Sequence, residues 1–261
     1  LWNQPAELSW IELEGAVNAR DTGGLPLSEG GATRPGRLLR SDNLQDLTPG
    51  DIKILVDELN LRTVVDLRTQ FEVDGEGAGP LLSNPAVSVH HLSLLKDWPK
   101  RPADEQEAQN QEILPGQGTK AEPRKTYSKY LLGRPDAVVE ALKLIAHSDG
   151  ASLVHCAAGK DRTGVVVALA LAEVGVTRDA IVRDYVGDSD RIAKVVARLT
   201  GSPTYDWVTK APDVSKQIPV AKTMEEFFGD LDAEFGGPRG WLRNHSWTED
   251  DAAALRRNLI G

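Results

Sequence analysis

The residues best suited to chemistry are a thiol and a guanidinium, Cys156 and Arg162, with Ala157-Ala158-Gly159-Lys160-Asp161 between them. Cys156 is the only cysteine in 261 residues. The apolar run Ala151-Ser152-Leu153-Val154 leads in and reads as a buried strand, and Val165 to Ala172 leads out and is long enough for a core helix. A short loop between a strand and a helix can turn its backbone N–H groups toward one centre, and such a nest binds anions. The helix starting near Thr163 would add its own unpaired N–H groups and the positive end of its dipole. Arg162 supplies a planar fork that clasps two oxygens of an oxyanion, where lysine would offer only a point charge. Gly159 permits positive φ in the loop, and Gly164 permits close packing at the helix start. The loop from Ala157 to Arg162 is thus a candidate oxyanion cradle, and the same field favours the thiolate of Cys156 over its thiol. A lone cysteine after an apolar strand is ordinarily a small buried hydrophobe. The glycine, lysine, arginine and threonine at these offsets serve no purpose around a core thiol. His155 faces the other way if the strand continues, and is expected to brace the loop by hydrogen bonds. Thr163 is placed to donate its hydroxyl to the sulfur, which would make the thiolate a better leaving group.

The string His155-Cys156-x5-Arg162-Thr163-Gly164 resembles the H-C-x5-R-[ST]-G signature of cysteine-dependent phosphatases. With Gly159-Lys160-Asp161 inside it, it is similar to the bacterial tyrosine phosphatase-like family typified by mycobacterial protein tyrosine phosphatase B. Asn18-Ala19-Arg20-Asp21-Thr22-Gly23-Gly24 resembles that family's opening motif N-F-R-D-x-G-G. Gly36-Arg37-Leu38-Leu39-Arg40-Ser41-Asp42-Asn43-Leu44 resembles G-R-L-F-R-S-x-x-L, and Asp66-Leu67-Arg68 followed by Glu72 resembles D-L-R-x3-E. The similarity runs from about Gly15 to about Tyr185. It implies a metal-independent phosphomonoester hydrolase working through a phosphocysteine, with inorganic phosphate as product and no cofactor. It also implies that Arg20 and Asp21 pack beside the catalytic loop. Arg68 is expected to brace Asp66 from within the core.

Such a reaction needs an acid for the departing oxygen and later a base for water. Asp97 follows the alternating stretch Val87 to Leu95 and lies where the family's proposed acid lies, which makes it the first candidate. Asp161 is the rival. An anion beside a bound dianion is costly unless protonated or paired, so Asp161 would share a proton with substrate, act as the acid, or pair with Lys160 or Arg20.

The bulk numbers narrow the class. A net charge of −9 argues against nucleic acid, whose binding rests on neutralising phosphates, and against docking on anionic lipid. One cysteine rules out an internal disulfide, and the five histidines show no ligand spacing for a metal. No apolar run is long enough to span a bilayer. Leu1 to Pro5 lacks the charged-then-apolar pattern of a secretion signal, so a cytoplasmic location is expected, with export by another route left open.

The elements that must position the loop alternate between strand and helix. Strands are expected over 11–20, 38–41, 61–67 and 87–95. Helices are expected from Thr48 to about Leu59, over 120–132 and 136–147, after the signature, and over 178–185, 189–199, 223–235 and 248–259. A glycine-rich loop is expected over 74–80, and Thr177 and Thr248 read as helix caps. This is the pattern of an α/β cysteine-phosphatase fold, with a central, mostly parallel sheet flanked by helices and a helical C-terminal part. A single domain over 1–261 is expected, with 99–123 as a variable polar insertion or lid and 186–261 as a helical extension packed on the same domain. The acidic run Asp188-Ser189-Asp190 is read as helix-start charge. The partner is a phosphorylated protein or a small-molecule phosphate monoester, the latter including phosphoinositide, nucleotide-like or sugar phosphates. A phosphate-binding module without catalysis is the alternative from another class.

Overall fold

The computed structural model describes residues 8–95, 123–205 and 214–261. Strands β1 (Ser9–Trp10), β2 (Arg20–Asp21), β3 (Leu38–Ser41), β4 (Leu61–Asp66), β5 (Ser88–His91) and β6 (Ala151–His155) form one sheet in the order β1-β2-β3-β6-β4-β5. The pairs β3–β6, β6–β4 and β4–β5 are parallel, and β1 and β2 add an antiparallel edge. Alternate residues serve opposite faces. Leu38, Val65 and Val154 enter the larger core, while Leu39, Val64 and Leu153 enter the smaller one.

Helix α1 (Pro49–Lys53) runs on as a π turn, Ile54–Glu58, and covers the smaller core. Helices α2 (Gln70–Glu76), α3 (Pro123–Gly133) and α4 (Pro135–Ala146) precede β6. After it come α5 (Asp161–Glu173), α6 (Arg178–Val186), α7 (Ile192–Leu199), α8 (Ala221–Phe235), α9 (Pro238–Arg243) and α10 (Glu249–Leu259). The apolar residues of α5 other than the partly buried Ala172 are buried, with α4, α6, α8, α9 and α10 sharing the larger core. Thr48, Thr69 and Thr248 each close a reciprocal capping box, with Asp51, Glu72 and Asp251. Among the described residues no helix is long and apolar enough to cross a membrane.

The expected opening strand over 11–20 is not there. Its backbone is diverted by two buried carboxylates. Asp51 takes the N–H groups of Glu14 and Gly15 at 2.8 Å each, and Asp42 takes those of Val17 and Asn18 at 3.0 and 2.9 Å. Only the short pieces β1 and β2 remain to pair. The 74–80 loop starts later than expected because the Thr69–Glu72 box carries α2 to Glu76, before Gly77 and Gly79 turn the chain at positive φ. Thr177 stands at the start of α6 but its side chain makes no cap bond. The expected helix over 189–199 begins only at Ile192, after a 3₁₀ turn over Gly187–Asp190, and α9 is an element sequence reasoning missed. Most of the 99–123 insertion lies outside the described residues.

Candidate active site

The parallel strands β3, β6 and β4 all end at one edge of the sheet, where Ser41, His155 and Asp66 are in register. The carboxyl ends of parallel strands are where ligands bind in open α/β sheets. Cys156 leaves β6 there, 2 % exposed.

Beyond Cys156 the chain curls into a loop whose carbonyls are pinned outward. The carbonyl of Ala157 accepts from the Asn43 N–H at 3.1 Å, that of Ala158 from Asn18 Nδ2 at 3.0 Å, and that of Gly159 from Arg40 Nη2 at 2.8 Å. A trans peptide carries its N–H opposite its C=O. Holding these carbonyls outward therefore turns the N–H groups of Ala158, Gly159 and Lys160 inward. Among the described residues none of the N–H groups from Ala157 to Arg162 has a hydrogen-bond partner. The last of them belong to the first turn of α5, whose dipole points its positive end the same way. Gly159 sits at φ +71°, and a Cβ there would lie 2.5 Å from the Ser41 carbonyl oxygen. At Gly164 a Cβ would press on the Tyr185 ring at 3.2 Å. Both glycines serve as the sequence led us to expect.

Two of the three clamps, Asn18 and Arg40, share one anchor, Asp188, which is fully buried. Its Oδ1 accepts from Asn18 Nδ2 at 2.9 Å and from Arg20 Nη1 at 2.6 Å, and its Oδ2 accepts from Arg40 Nη2 at 3.0 Å. Asp184 holds the same two arginines, Arg20 Nε at 2.9 Å and Arg40 Nη1 at 2.5 Å. Burial alone would raise the Asp184 carboxyl, but Arg20 and Arg40 hold it below the usual range. The reading of Asp188 as a helix-start charge is thus corrected: buried arginines draw it into the core. Arg20 packs behind the loop as the resemblance implied. Asp21 does not; it accepts from the N–H groups of Gly23 and Gly36 and stabilises a turn.

Arg162 is held by Glu72 of α2. Nη1 donates to Oε2 at 2.6 Å and Nη2 to Oε1 at 2.8 Å, while Nη1 also meets the Leu67 carbonyl at 3.3 Å. Its Nε–H has no partner among the described residues, which leaves the Nε/Nη2 edge to clasp an oxyanion. Burial would raise the Glu72 carboxyl, yet Arg162 and the Thr69 N–H and hydroxyl hold it below the ordinary range. Sequence reasoning met Glu72 only as part of a motif. The Thr69-x-x-Glu72 capping box was the one local sign that this carboxylate would be fixed.

Arg68 braces Asp66 as expected, with Nε at 3.0 Å and Nη2 at 2.6 Å from its oxygens. His155 faces this pair, its Nε2 3.7 Å from Asp66 Oδ1. Burial lowers the His155 pKa to about 4, against the pull of Asp66. For Asp66 burial acts upward, but His155 and Arg68 outweigh it and hold the carboxyl far below its usual range. Because the folded chain binds the His155 proton less readily than the unfolded chain, this group's contribution is complete above pH ~6.5 and is lost as pH falls toward 4. The expected loss is about 2–3 kcal/mol between pH 7 and pH 4.5. Urea denaturation at the two pH values measures it, and His155→Gln should remove most of the difference.

Asp161 lies inside the loop and its carboxylate is claimed. Tyr127 of α3 donates its hydroxyl to Oδ1 at 2.5 Å, and Lys160 Nζ is 3.5 Å from Oδ2. Lys160 also donates to the Gln217 carbonyl at 2.9 Å. Of the pairings left open, the one with Lys160 is present and the one with Arg20 is absent, and Tyr127 is a partner the sequence did not announce. Tyr130, one helical turn on, has a buried hydroxyl without a partner among the described residues, and its charge environment includes Asp161, Arg162, Cys156 and Glu72. These groups therefore share one neighbourhood. Among the described residues Thr163 Oγ1 is likewise buried without a partner, and it makes no hydrogen bond to the Cys156 sulfur. Asp97 lies outside the described residues.

Fold and loop together define a cysteine-dependent phosphatase, with the buried Cys156 at the head of a loop whose carbonyls are held from outside. The chain belongs to the tyrosine phosphatase family, whose profile matches residues 11–261. It is 29 % identical to the triple specificity protein phosphatase PtpB of Mycobacterium tuberculosis, over 96 % of this chain and 99 % of that one. It is also 29 % identical to a putative tyrosine-protein phosphatase of Cupriavidus necator, over 93 % of this chain and 85 % of the other. A tyrosine-protein phosphatase of Nostoc commune is 49 % identical over 127 residues, which cover 45 % of this chain and 42 % of that one.

Proposed function

We propose that this protein hydrolyses phosphate monoesters of protein tyrosine residues through a phosphocysteine on Cys156, releasing inorganic phosphate. The observation that supports the reading is the run of consecutive carbonyls, Ala157 to Gly159, each held by a donor from outside the loop, so that the N–H groups of the same peptides point the opposite way. Such preorganised donors stabilise charge on a transferring phosphoryl group without reorganising at the moment of reaction.

In the first step Sγ attacks phosphorus, the S–P bond forms, and the P–O bond to the substrate breaks. The departing oxygen takes a proton from a carboxyl, and Asp97 is the proposed donor. In the second step water attacks phosphorus, the P–S bond breaks with its electron pair returning to sulfur, and the water proton passes to a base. Asp161 suits that second role, since Tyr127 holds its Oδ1 by a hydrogen bond while its Oδ2 has only the Lys160 ammonium at 3.5 Å. Lys160 is committed to Gln217 and Asp161, so its charge is spent inside the protein, which weighs against a site built for highly charged lipid headgroups.

The test is phosphate release from phosphotyrosyl, phosphoseryl and phosphothreonyl peptides, phosphoinositides, nucleotides and sugar phosphates. The phosphotyrosyl peptide is expected to give the highest kcat/KM, with inhibition by vanadate. Tight phosphate binding without turnover on any substrate would instead make the protein a phosphate-binding module.

A further inference from the structure

The hydroxyl of Tyr127 has two partners. It donates to Asp161 Oδ1 at 2.5 Å, and the Tyr185 hydroxyl lies 2.8 Å away on its other side. Since the Tyr127 proton is committed to Asp161, Tyr185 must be the donor to Tyr127. The result is a directed chain, Tyr185 to Tyr127 to Asp161, that ends on the candidate loop. Its members come from α6, α3 and the first turn of α5. All are buried, Tyr127 fully. The aromatic rings are themselves fixed: Tyr127 lies edge-on to Tyr185 and to Phe227, with ring centroids 6.3 and 6.0 Å apart. A packed core has no need of a hydroxyl at this spot, and phenylalanine would fill it. Instead two phenols are spent on one carboxylate that borders Cys156 and Arg162.

We infer that Tyr127 is a positioning residue for the second chemical step, resting on the phosphocysteine reading above. It holds Oδ1 of Asp161 by a short hydrogen bond, while Oδ2 has only the Lys160 ammonium at 3.5 Å and is the oxygen that receives a proton. Water adds to phosphorus, the P–S bond breaks toward sulfur, and the proton of that water goes to Asp161 Oδ2 and then to solvent. Tyr185 holds the Tyr127 proton in the one direction that serves this purpose. Neither tyrosine touches the reacting atoms.

The inference is tested by a double-mutant cycle with rapid-mixing kinetics on nitrophenyl phosphate. Asp161→Asn should lower kcat about 100-fold, the range for loss of a general base. Tyr127→Phe should lower it about tenfold, the worth of one hydrogen bond to a charged group. Both should show a burst of nitrophenol and a phosphorylated Cys156 detectable by mass spectrometry, because only the second step is slowed. In the Asp161→Asn background Tyr127→Phe should have no further effect on kcat. Equal tenfold losses in both backgrounds, or unchanged kcat with only a lower Tm, would overturn the inference. So would a loss that grows with poorer leaving groups, which would move Asp161 to the first step. Tyr185→Phe keeps the Tyr127–Asp161 bond, and an intermediate loss with the same burst is expected even where Tyr127→Phe folds poorly. A wild-type protein with no turnover, or turnover that survives loss of Cys156, would sink the hydrolase reading instead, and is distinguishable from each of those outcomes.

Discussion

Replacing Cys156 with serine is expected to lower turnover by about 10⁴-fold or more while leaving phosphate affinity within a few-fold of wild type. The loss follows from the nucleophile: a hydroxyl is a far weaker one at neutral pH than a thiolate. Losing a covalent nucleophile costs catalysis on this scale in other enzymes. The affinity should survive because the binding parts are independent of the sulfur. The outward clamps on Ala157, Ala158 and Gly159 come from Asn43, Asn18 and Arg40, and Arg162 is fixed by Glu72. Phosphate release on a phosphotyrosyl peptide, with phosphate binding by calorimetry on the same preparation, reads both quantities. Turnover within tenfold of wild type would end the covalent mechanism.

Arg162→Lys is expected to lower kcat/KM by about 10²–10³, the cost of removing a donor from a preorganised oxyanion site. The guanidinium here has two edges in use. Its Nη1/Nη2 end lies against Glu72 at 2.6 and 2.8 Å, and its Nε/Nη2 edge is left for substrate. An ammonium group has no second edge, so it must abandon either the carboxylate or the phosphoryl group. Glu72 is buried, and a buried carboxylate that loses its fork is expensive, so Tm should fall as well. Glu72→Gln separates the two effects: it loosens Arg162 but leaves the fork, and should cost less in kcat/KM than the lysine variant. Equal kcat/KM for Arg162→Lys and wild type would show that the fork does not hold the transferring group.

The catalytic loop was legible in the sequence because its requirements are local. A strand, a glycine at positive φ, an arginine and a helix start all fall between Ala151 and Glu173, and the structure places them so. The sheet was legible for the same reason, since β3, β4 and β6 are short runs rich in apolar residues. What escaped were the partners supplied from afar. Asp188 reaches Asn18 across 170 positions, and Arg162 reaches Glu72 across 90. No spacing rule predicts such pairs, and an acidic run beside a helix looks the same whether water or a buried arginine receives it. Tyr127 falls within the helix expected over 120–132, but the use of its hydroxyl depends on where α3 lands against α5. The opening segment misled because Asp42 and Asp51 compete for its amides, and a carboxylate that binds another segment's backbone has no periodic trace.

The Asp188 anchor also sets an order of assembly. The signature sequence is contiguous, yet the posture of its loop depends on Asn18 and Arg40 from one end of the chain and on Asp184 and Asp188 from beyond α5. Contacts this distant in sequence are slow to form, since loop closure must be met before they repay it. A growing polypeptide that has emerged as far as Arg162 therefore carries the motif in an idle state, and competence arrives only when the two ends meet. Fragments containing the signature alone would be inert for the same reason.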